Sequence, residues 1–399
     1  MKKFLVIFIA LLAMLALVSC GDGGNTGNGS NNTPGAVDNG QYYDASYGSN
    51  FETTHKAVIE IENYGVIKLD LYGKEAPVTV VNFANLANSG FYNGLTFHRI
   101  IEGFMMQGGC PSGNGTGSSG TKIIGEFSNN GSNNKISHKA GVISMARSGH
   151  SVYDYYYYDT ASCQFFIVHE DSAFLDGNYA GFGMVTEGMN VVNAICTTAI
   201  TKDSNGSVDR VNQPVIKSIS VECVSEDFKV KAPVASHEAV IEIQNYGTIT
   251  LELYENIAPI TVANFEKLAN EGFYNGLTLH RIIKDFMMQG GCPLGDGTGD
   301  SGTDITGEFL ANGVYNPLSH KRGVISMARS KEYNSASSQF FIMQDDAPHL
   351  DYNYAAFGMV TSGLDIVDRI CNEAKPTDSN GSIAKADQPI ITSITVTKK

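Results

Sequence analysis

The sequence predicts a mainly β protein in which one antiparallel domain, a closed barrel capped by two helices, occurs twice in tandem. Three observations carry that prediction: a repeat with a period near 180 residues, strict apolar–polar alternation at the start of each copy, and a proline-initiated helical pattern directly after it. A period this long marks duplication of a whole domain, because solenoid and propeller units recur every ~20–50 residues.

The repeat is near-verbatim in places. Gly94–Pro111, GLTFHRIIEGFMMQGGCP, returns as Gly276–Pro293, GLTLHRIIKDFMMQGGCP, with three substitutions in eighteen positions. AVIEIENYG from Ala57 pairs with AVIEIQNYG from Ala239, an offset of 182 that holds through Met145 and Met327. At Gln164 and Gln339 the offset is 175, so the first copy carries seven extra residues around Tyr153 to Asp159. The chain then reads as a leader at 1–20, a tether at 21–51, a first domain at 52–224, a linker at 225–233 and a second domain at 234–399.

Each element has a local reason. Ile59 and Ile61 alternate with Glu60 and Glu62, a turn follows at Asn63-Tyr64-Gly65, and Ile67, Leu69 and Leu71 alternate with Lys68 and Asp70, which makes a hairpin with one buried face. Pro77 suits the first turn of a helix, Val80, Phe83, Ala84 and Leu86 or Ala87 share one side of it, and Gly90 suits its stop. Short apolar runs (GVISMA, CQFFIV, AGFGMV) read as strands. A second helix is expected near Glu187 to Cys196, and a last strand through Val215, Ile219 and Val221.

The N-terminus reads as an export signal. Lys2 and Lys3 precede an apolar run, Phe4–Val18, that is shorter than the ~20 residues a membrane span needs. Leu17-Val18-Ser19-Cys20 resembles a bacterial lipobox, which makes Cys20 the expected lipidation site; an ordinary signal peptide ending near a cysteine is the alternative. The Gly/Asn/Ser-rich stretch after it has too little apolar content for a core and reads as a flexible tether. The expected location is therefore the bacterial cell envelope, outside the cytoplasm and lipid-anchored to a membrane. The chain has 27 basic and 41 acidic residues, a net charge of −14, and about −16 once Lys2 and Lys3 are removed. That balance argues against nucleic acid as a partner, because phosphate binding needs a basic footprint.

The ordered motifs FHRII, FMMQGG, GNGTG or GDGTG, GVISMAR, QFFI and LDGNYAGFG or LDYNYAAFG, present in both copies, resemble the cyclophilins, the peptidyl-prolyl cis-trans isomerases. The resemblance implies two tandem eight-stranded antiparallel barrels, each capped by two helices and carrying a proline-binding groove. It implies Arg99 and Arg281 as the catalytic residues. It also implies Phe104, Met105, Gln107, Ala146, Gln164, Phe166, Leu175 and Tyr179 as substrate-binding residues of the first copy, and Phe286, Met287, Gln289, Ala328, Gln339, Phe341, Leu350 and Tyr354 as those of the second. The implied substrates are proline-containing unfolded or flexible polypeptides, handled by a monomer without cofactor or metal. A surface-anchored proline-recognition or adhesion module with weak turnover is the alternative.

Taken singly, an arginine in an alternating run is ordinarily a snorkelling strand residue, and Met and Phe at short spacing are ordinarily core. Co-occurrence with QFF and LDxNYAxFG, in order and twice, reverses that reading. Some positions depart from the family pattern. Phe174 and His349 stand where many cyclophilins have tryptophan, Tyr179 and Tyr354 replace the groove histidine, and Arg147 and Arg329 stand where others carry asparagine. For these two arginines, a loop charge competes with a grip on the substrate backbone. The Tyr-rich insertion is either a contact surface or a tolerated loop.

Six cysteines follow Cys20, and Cys110 with Cys292 and Cys196 with Cys371 are equivalent between copies. Export permits disulfides Cys110–Cys196 and Cys292–Cys371; buried free thiols account for the repetition equally well. Asp203, Asn205, Ser207 and Asp209 have calcium-loop spacing, but the second copy offers Ala384 at the last position, so a turn is expected. The GTG loops lack the P-loop lysine and read as flexible turns near the groove.

Overall fold

The computed structural model describes residues 43–149 and 153–399. The chain divides into two compact units, with the boundary between Glu222 and Cys223. The leader and Cys20 lie outside the described residues. Among the described residues, no helix is long and apolar enough to cross a membrane.

In the first unit the strands are β1 (His55–Ile61), β2 (Gly65–Leu71), β3 (Phe97–Ile101), β4 (Met105–Gly108), β5 (Val142–Met145), β6 (Phe165–Val168), β7 (Gly181–Glu187) and β8 (Ile216–Cys223), with helices α1 (Pro77–Asn88) and α2 (Met189–Thr198). The second unit repeats them as β9 (His237–Ile243), β10 (Gly247–Leu253), β11 (Thr278–Ile283), β12 (Met287–Cys292), β13 (Val324–Met327), β14 (Phe340–Met343), β15 (Ala356–Ser362) and β16 (Ile391–Lys398), with α3 (Pro259–Asn270) and α4 (Leu364–Glu373). Each unit is one curled eight-stranded antiparallel sheet, ordered β3-β4-β6-β5-β7-β2-β1-β8 and β11-β12-β14-β13-β15-β10-β9-β16. An isolated bridge, Thr96 to Val215, links the residues just before β3 and β8, and in the second unit Thr278, the first residue of β11, bridges Ile390, just before β16.

The expected hairpin is β1–β2, with Ile59 opposite Ile67 and Asn63 at φ 61° in the turn. α1 begins at Pro77 and has no side-chain cap of its own. Instead Glu126, from a distant loop, accepts from the Val78 and Thr79 N–H groups at 3.0 and 2.7 Å. Burial raises this carboxyl to about 7, against the pull of Thr79 and Val78. In the second unit Glu308 caps α3 in the same way. α2 starts at Met189, two residues later than its pattern predicts, because Glu187 still pairs with Lys68 in the β2–β7 ladder and Gly188 makes the turn at φ +93°. A Cβ there would meet the Val66 carbonyl oxygen at 2.3 Å.

The core is aromatic. Phe83 on α1 packs against Tyr92, Phe165 and Phe182 with ring centroids 5.2–5.4 Å apart, and Phe265 packs against Tyr274, Phe340 and Phe357 at 5.3–5.5 Å. All eight rings are fully buried, so truncating Phe83 to alanine costs about 3–5 kcal/mol.

Two stretches read as spacers are docked. Residues 43–51, the expected end of the tether, form a short 3-10 turn (Ala45–Asn50) against the first unit. Tyr43 Oη donates to the Val185 carbonyl, the Ser137 N–H donates to Tyr47 Oη at 2.6 Å, and Phe51 lies 5.1 Å from the Tyr72 ring. In the linker, Phe228 is buried and stacks near Tyr315, while the Asn256 amide holds the Ala232 carbonyl. Aromatic side chains in otherwise polar stretches account for both.

The cysteine pairings are not formed: all six cysteines among the described residues are free. Cys110 Sγ accepts from the Gly117 N–H, whereas Cys196 is buried on α2, where burial and Glu102 push its thiol up to about 12.

Candidate functional site

The candidate groove residues are lined up by the sheet register. Arg99 on β3 lies opposite Gln107 on β4, Gln107 opposite Phe166 on β6, and Phe166 opposite Ser144 on β5. Arg281, Gln289, Phe341 and Ser326 form the same row in the second unit. What turns the arginine outward is a β-bulge: the register shifts between Phe97 and Arg99. Phe97 and Ile100, three residues apart, are both buried in the core, and Arg99 between them stays half-exposed.

The guanidinium is anchored on one side and open on the other. Arg99 Nε donates to the Asn205 carbonyl at 2.8 Å and Nη1 lies 3.9 Å from Met105 Sδ, with Phe104 5.9 Å away. Arg281 Nε binds the Asn380 carbonyl at 2.8 Å, and its Nη1 also donates to Gln289 Oε1 at 3.2 Å. Burial draws the pKa of both arginines down, opposed by Tyr179 and Asp203 for Arg99 and by Tyr354 and Asp378 for Arg281; a guanidinium so perturbed stays protonated. The calcium-like spacing is a turn, in which Asp203 accepts from the Asn205 and Ser207 N–H groups and sets the Asn205 carbonyl for Arg99.

A relay of amides supports the row. Gln107 Nε2 donates to Gln164 Oε1 at 3.0 Å, and Gln164 Nε2 donates to the Gly115 and Gly117 carbonyls. Gln289, Gln339, Gly297 and Gly299 repeat it. The GTG loops, expected as flexible turns, are thus acceptors that fix the second glutamine.

The apolar wall gathers the other expected residues. Met105, Phe166 and Leu175 are buried in one cluster, with Phe104, Ala146 and Tyr179 packed against it. Met287 and Phe341 are joined by Phe286, Ala328, Leu350 and Tyr354 in the other. Tyr179 meets Phe166 edge-on at 5.8 Å and 84°, and Tyr354 meets Phe341 at 5.8 Å and 85°. At the tryptophan-replacing positions, exposed Phe174 packs on Phe104 and His349 on Phe286.

Sequence reading missed the support beneath Phe166. His138 stacks under its ring at 6.0 Å and 17°, with Nδ1 2.8 Å from Asp176 and Nε2 2.9 Å from Ser144 Oγ. Burial lowers the His138 pKa and outweighs Asp176, so the ring is neutral. His320, Asp351 and Ser326 repeat this arrangement under Phe341. The recurrence of His138 at His320 at the 182-residue offset is the signal that could have found it. The guanidinium groups of Arg147 and Arg329 each lie over three aromatic rings, one of which is Tyr179 or Tyr354.

The family model for cyclophilin type peptidyl-prolyl cis-trans isomerases matches residues 56–221 and 239–396. The peptidyl-prolyl cis-trans isomerase B of Bacillus subtilis is 48% identical over 130 residues, 33% of this chain and 87% of the relative. A peptidyl-prolyl cis-trans isomerase of Helicobacter pylori is 49% identical over 128 residues, 32% of this chain and 76% of its own. One from Synechococcus elongatus is 44% identical over 142 residues, 35% of this chain and 88% of its own. Two family segments, each with its own arginine row and aromatic wall, place the chain in the cyclophilin family of peptidyl-prolyl cis-trans isomerases.

Proposed function

We propose that both domains of this peptidyl-prolyl cis-trans isomerase turn over, each through its own arginine. The supporting observation is the anchored guanidinium, held by Nε to a backbone carbonyl and presenting its remaining N–H groups beside an apolar wall, in both copies. Amide resonance sets a rotational barrier of about 18–20 kcal/mol, and an X-Pro bond isomerises over roughly tens to hundreds of seconds unaided. As the bond twists, the proline nitrogen becomes pyramidal and its lone pair localises. Arg99 or Arg281 donates a hydrogen bond to that lone pair, which is absent in the planar ground state, so the interaction selects the transition state. Phe104, Met105, Phe166 and Leu175, with their counterparts Phe286, Met287, Phe341 and Leu350, hold the ring and exclude water. Gln107 and Gln289 orient the arginine and the substrate carbonyl. No proton moves and no covalent bond changes.

The substrates on this reading are flexible proline-containing segments of exported or envelope proteins, the chain being a monomer tethered through a lipidated Cys20. Each sheet closes as a barrel along its edge bridge, with its two helices as caps. The test is protease-coupled proline isomerisation by wild type, Arg99→Ala, Arg281→Ala and the double variant. Each single variant retains the other site's rate and the double variant falls to background. A double variant as fast as wild type refutes the mechanism, and a wild type that binds proline peptides without turnover favours the recognition-module alternative.

A further inference from the structure

Arg147 is an oddity for a residue at a loop entrance: its side chain is only 3% exposed. Its guanidinium carbon lies 4.8 Å from the centroid of Tyr179, 5.2 Å from Tyr158 and 5.3 Å from Phe127. Nε donates to the Asn178 carbonyl at 2.7 Å, the peptide group that leads into Tyr179. The same side chain therefore holds both the backbone and the ring of the groove tyrosine. Arg329 repeats this, 4.8 Å from Tyr354, 5.0 Å from Phe309 and 5.1 Å from Tyr333, with Nε on the Asn353 carbonyl at 2.9 Å.

The two copies differ at the far end of the guanidinium. In the first, Asp154 closes a bidentate pair with Nη1 and Nη2 at 2.9 and 2.7 Å. Asp154 belongs to the seven-residue surplus of the first copy. In the second copy Lys331 and Glu332 occupy the corresponding short link, and Arg329 Nη1 donates only to backbone, the Ser330 and Lys331 carbonyls. A planar guanidinium fixed along one edge by a carboxylate and at Nε by a carbonyl has a defined plane, and stacking transmits that plane to the ring above it. Tyr179 in turn meets Phe166 edge-on, so its orientation sets the width of the apolar wall.

Resting on the assignment of this groove as the proline site, we propose that Arg147 and Arg329 are positioning residues that set the groove tyrosines. We further propose that the Tyr-rich insertion acts on the first site through Asp154, clamping Arg147 so that Tyr179 is held more rigidly than Tyr354. The insertion is then a specificity element of the first copy, acting from beneath the groove.

The experiment uses the full chain with Arg281→Ala, so that only the first site turns over, and measures kcat and KM on a proline tetrapeptide. In this background Arg147→Met raises KM about tenfold with kcat changed less than about threefold, Arg147→Lys, which keeps the charge but lacks the planar fork, recovers little of the loss, and Asp154→Asn raises KM about two- to threefold. In a Tyr179→Ala background Arg147→Met adds no further loss, since the two residues act as one unit. Unchanged KM in both Arg147→Met and Asp154→Asn, or losses that add fully to Tyr179→Ala, overturn the proposal. Asp154→Asn alters a partly exposed partner, so it remains informative if Arg147→Met fails to fold. Arg99→Ala in the same background separates the two readings: if it keeps full activity, the groove assignment itself has failed.

Discussion

Replacing Arg99 by lysine tests how the arginine is used. In the structure Nε is spent on the Asn205 carbonyl at 2.8 Å, which leaves the two terminal nitrogens to face the groove. Lysine has a single ammonium on a flexible stem. It can anchor on Asn205 or reach the substrate nitrogen, but it cannot do both with fixed geometry. The change therefore removes one preorganised transition-state donor, worth about 2.7–4 kcal/mol, or roughly 10²–10³ in kcat. The tandem arrangement masks this loss, because an intact second site sustains the summed rate; with equal sites the single variant keeps about half. The measurement is therefore made on Arg281→Ala with and without Arg99→Lys, by protease-coupled isomerisation. An Arg99→Lys rate within about threefold of its parent would refute the two-handed role of the guanidinium.

His98 is buried, and its pKa is lowered to about 4 by burial first and Arg99 second. Its neutral form favours the native state, so its contribution is intact above the unfolded value of 6.5 and lost as pH falls toward 4; His98→Asn should remove about 2.4 kcal/mol of the acid destabilisation, read from urea midpoints at pH 7 and 4.5. If wild type and variant lose equal stability, the burial account is wrong. A second domain begun at Cys223 should melt several degrees above one begun at Ser236, because the longer form keeps Phe228 on Tyr315; equal melting temperatures would show the segment to be a mere spacer. Alkylation of the unfolded, unreduced chain should label all six cysteines after Cys20, and fewer would mean that disulfides form.

Much of the site was legible because its residues sit in short runs with strong local pattern. FHRII, FMMQGG, QFF and LDxNYAxFG pointed to Arg99, Gln107, Phe166 and Tyr179, which the fold gathers in one candidate site, and the alternation of Ile59 and Ile61 with Glu60 and Glu62 announced the first hairpin. What escaped were contacts made across long stretches of chain. Glu126 caps a helix 47 and 48 residues upstream, and Asn205 serves Arg99 through its backbone, which any residue type could do. His138 acts only once Asp176 and Ser144 have been folded around it. The docked aromatics Tyr43, Tyr47, Phe51 and Phe228 were masked by the polar composition of their neighbours.

The bulge between Phe97 and Arg99 makes the site sensitive to counting. Side chains alternate faces along a strand, so removing one residue from Phe97–Ile101 would send the arginine inward and an isoleucine into the groove, whatever the identities of the neighbours. Seven residues could be added between Ser148 and Tyr158 without disturbing a ladder, because the described residues of that stretch pair with no strand. Length variation in descendants of this duplicated gene should therefore collect in the loop beneath Tyr179 and be purged from the arginine hairpin, even where substitutions in that hairpin are tolerated.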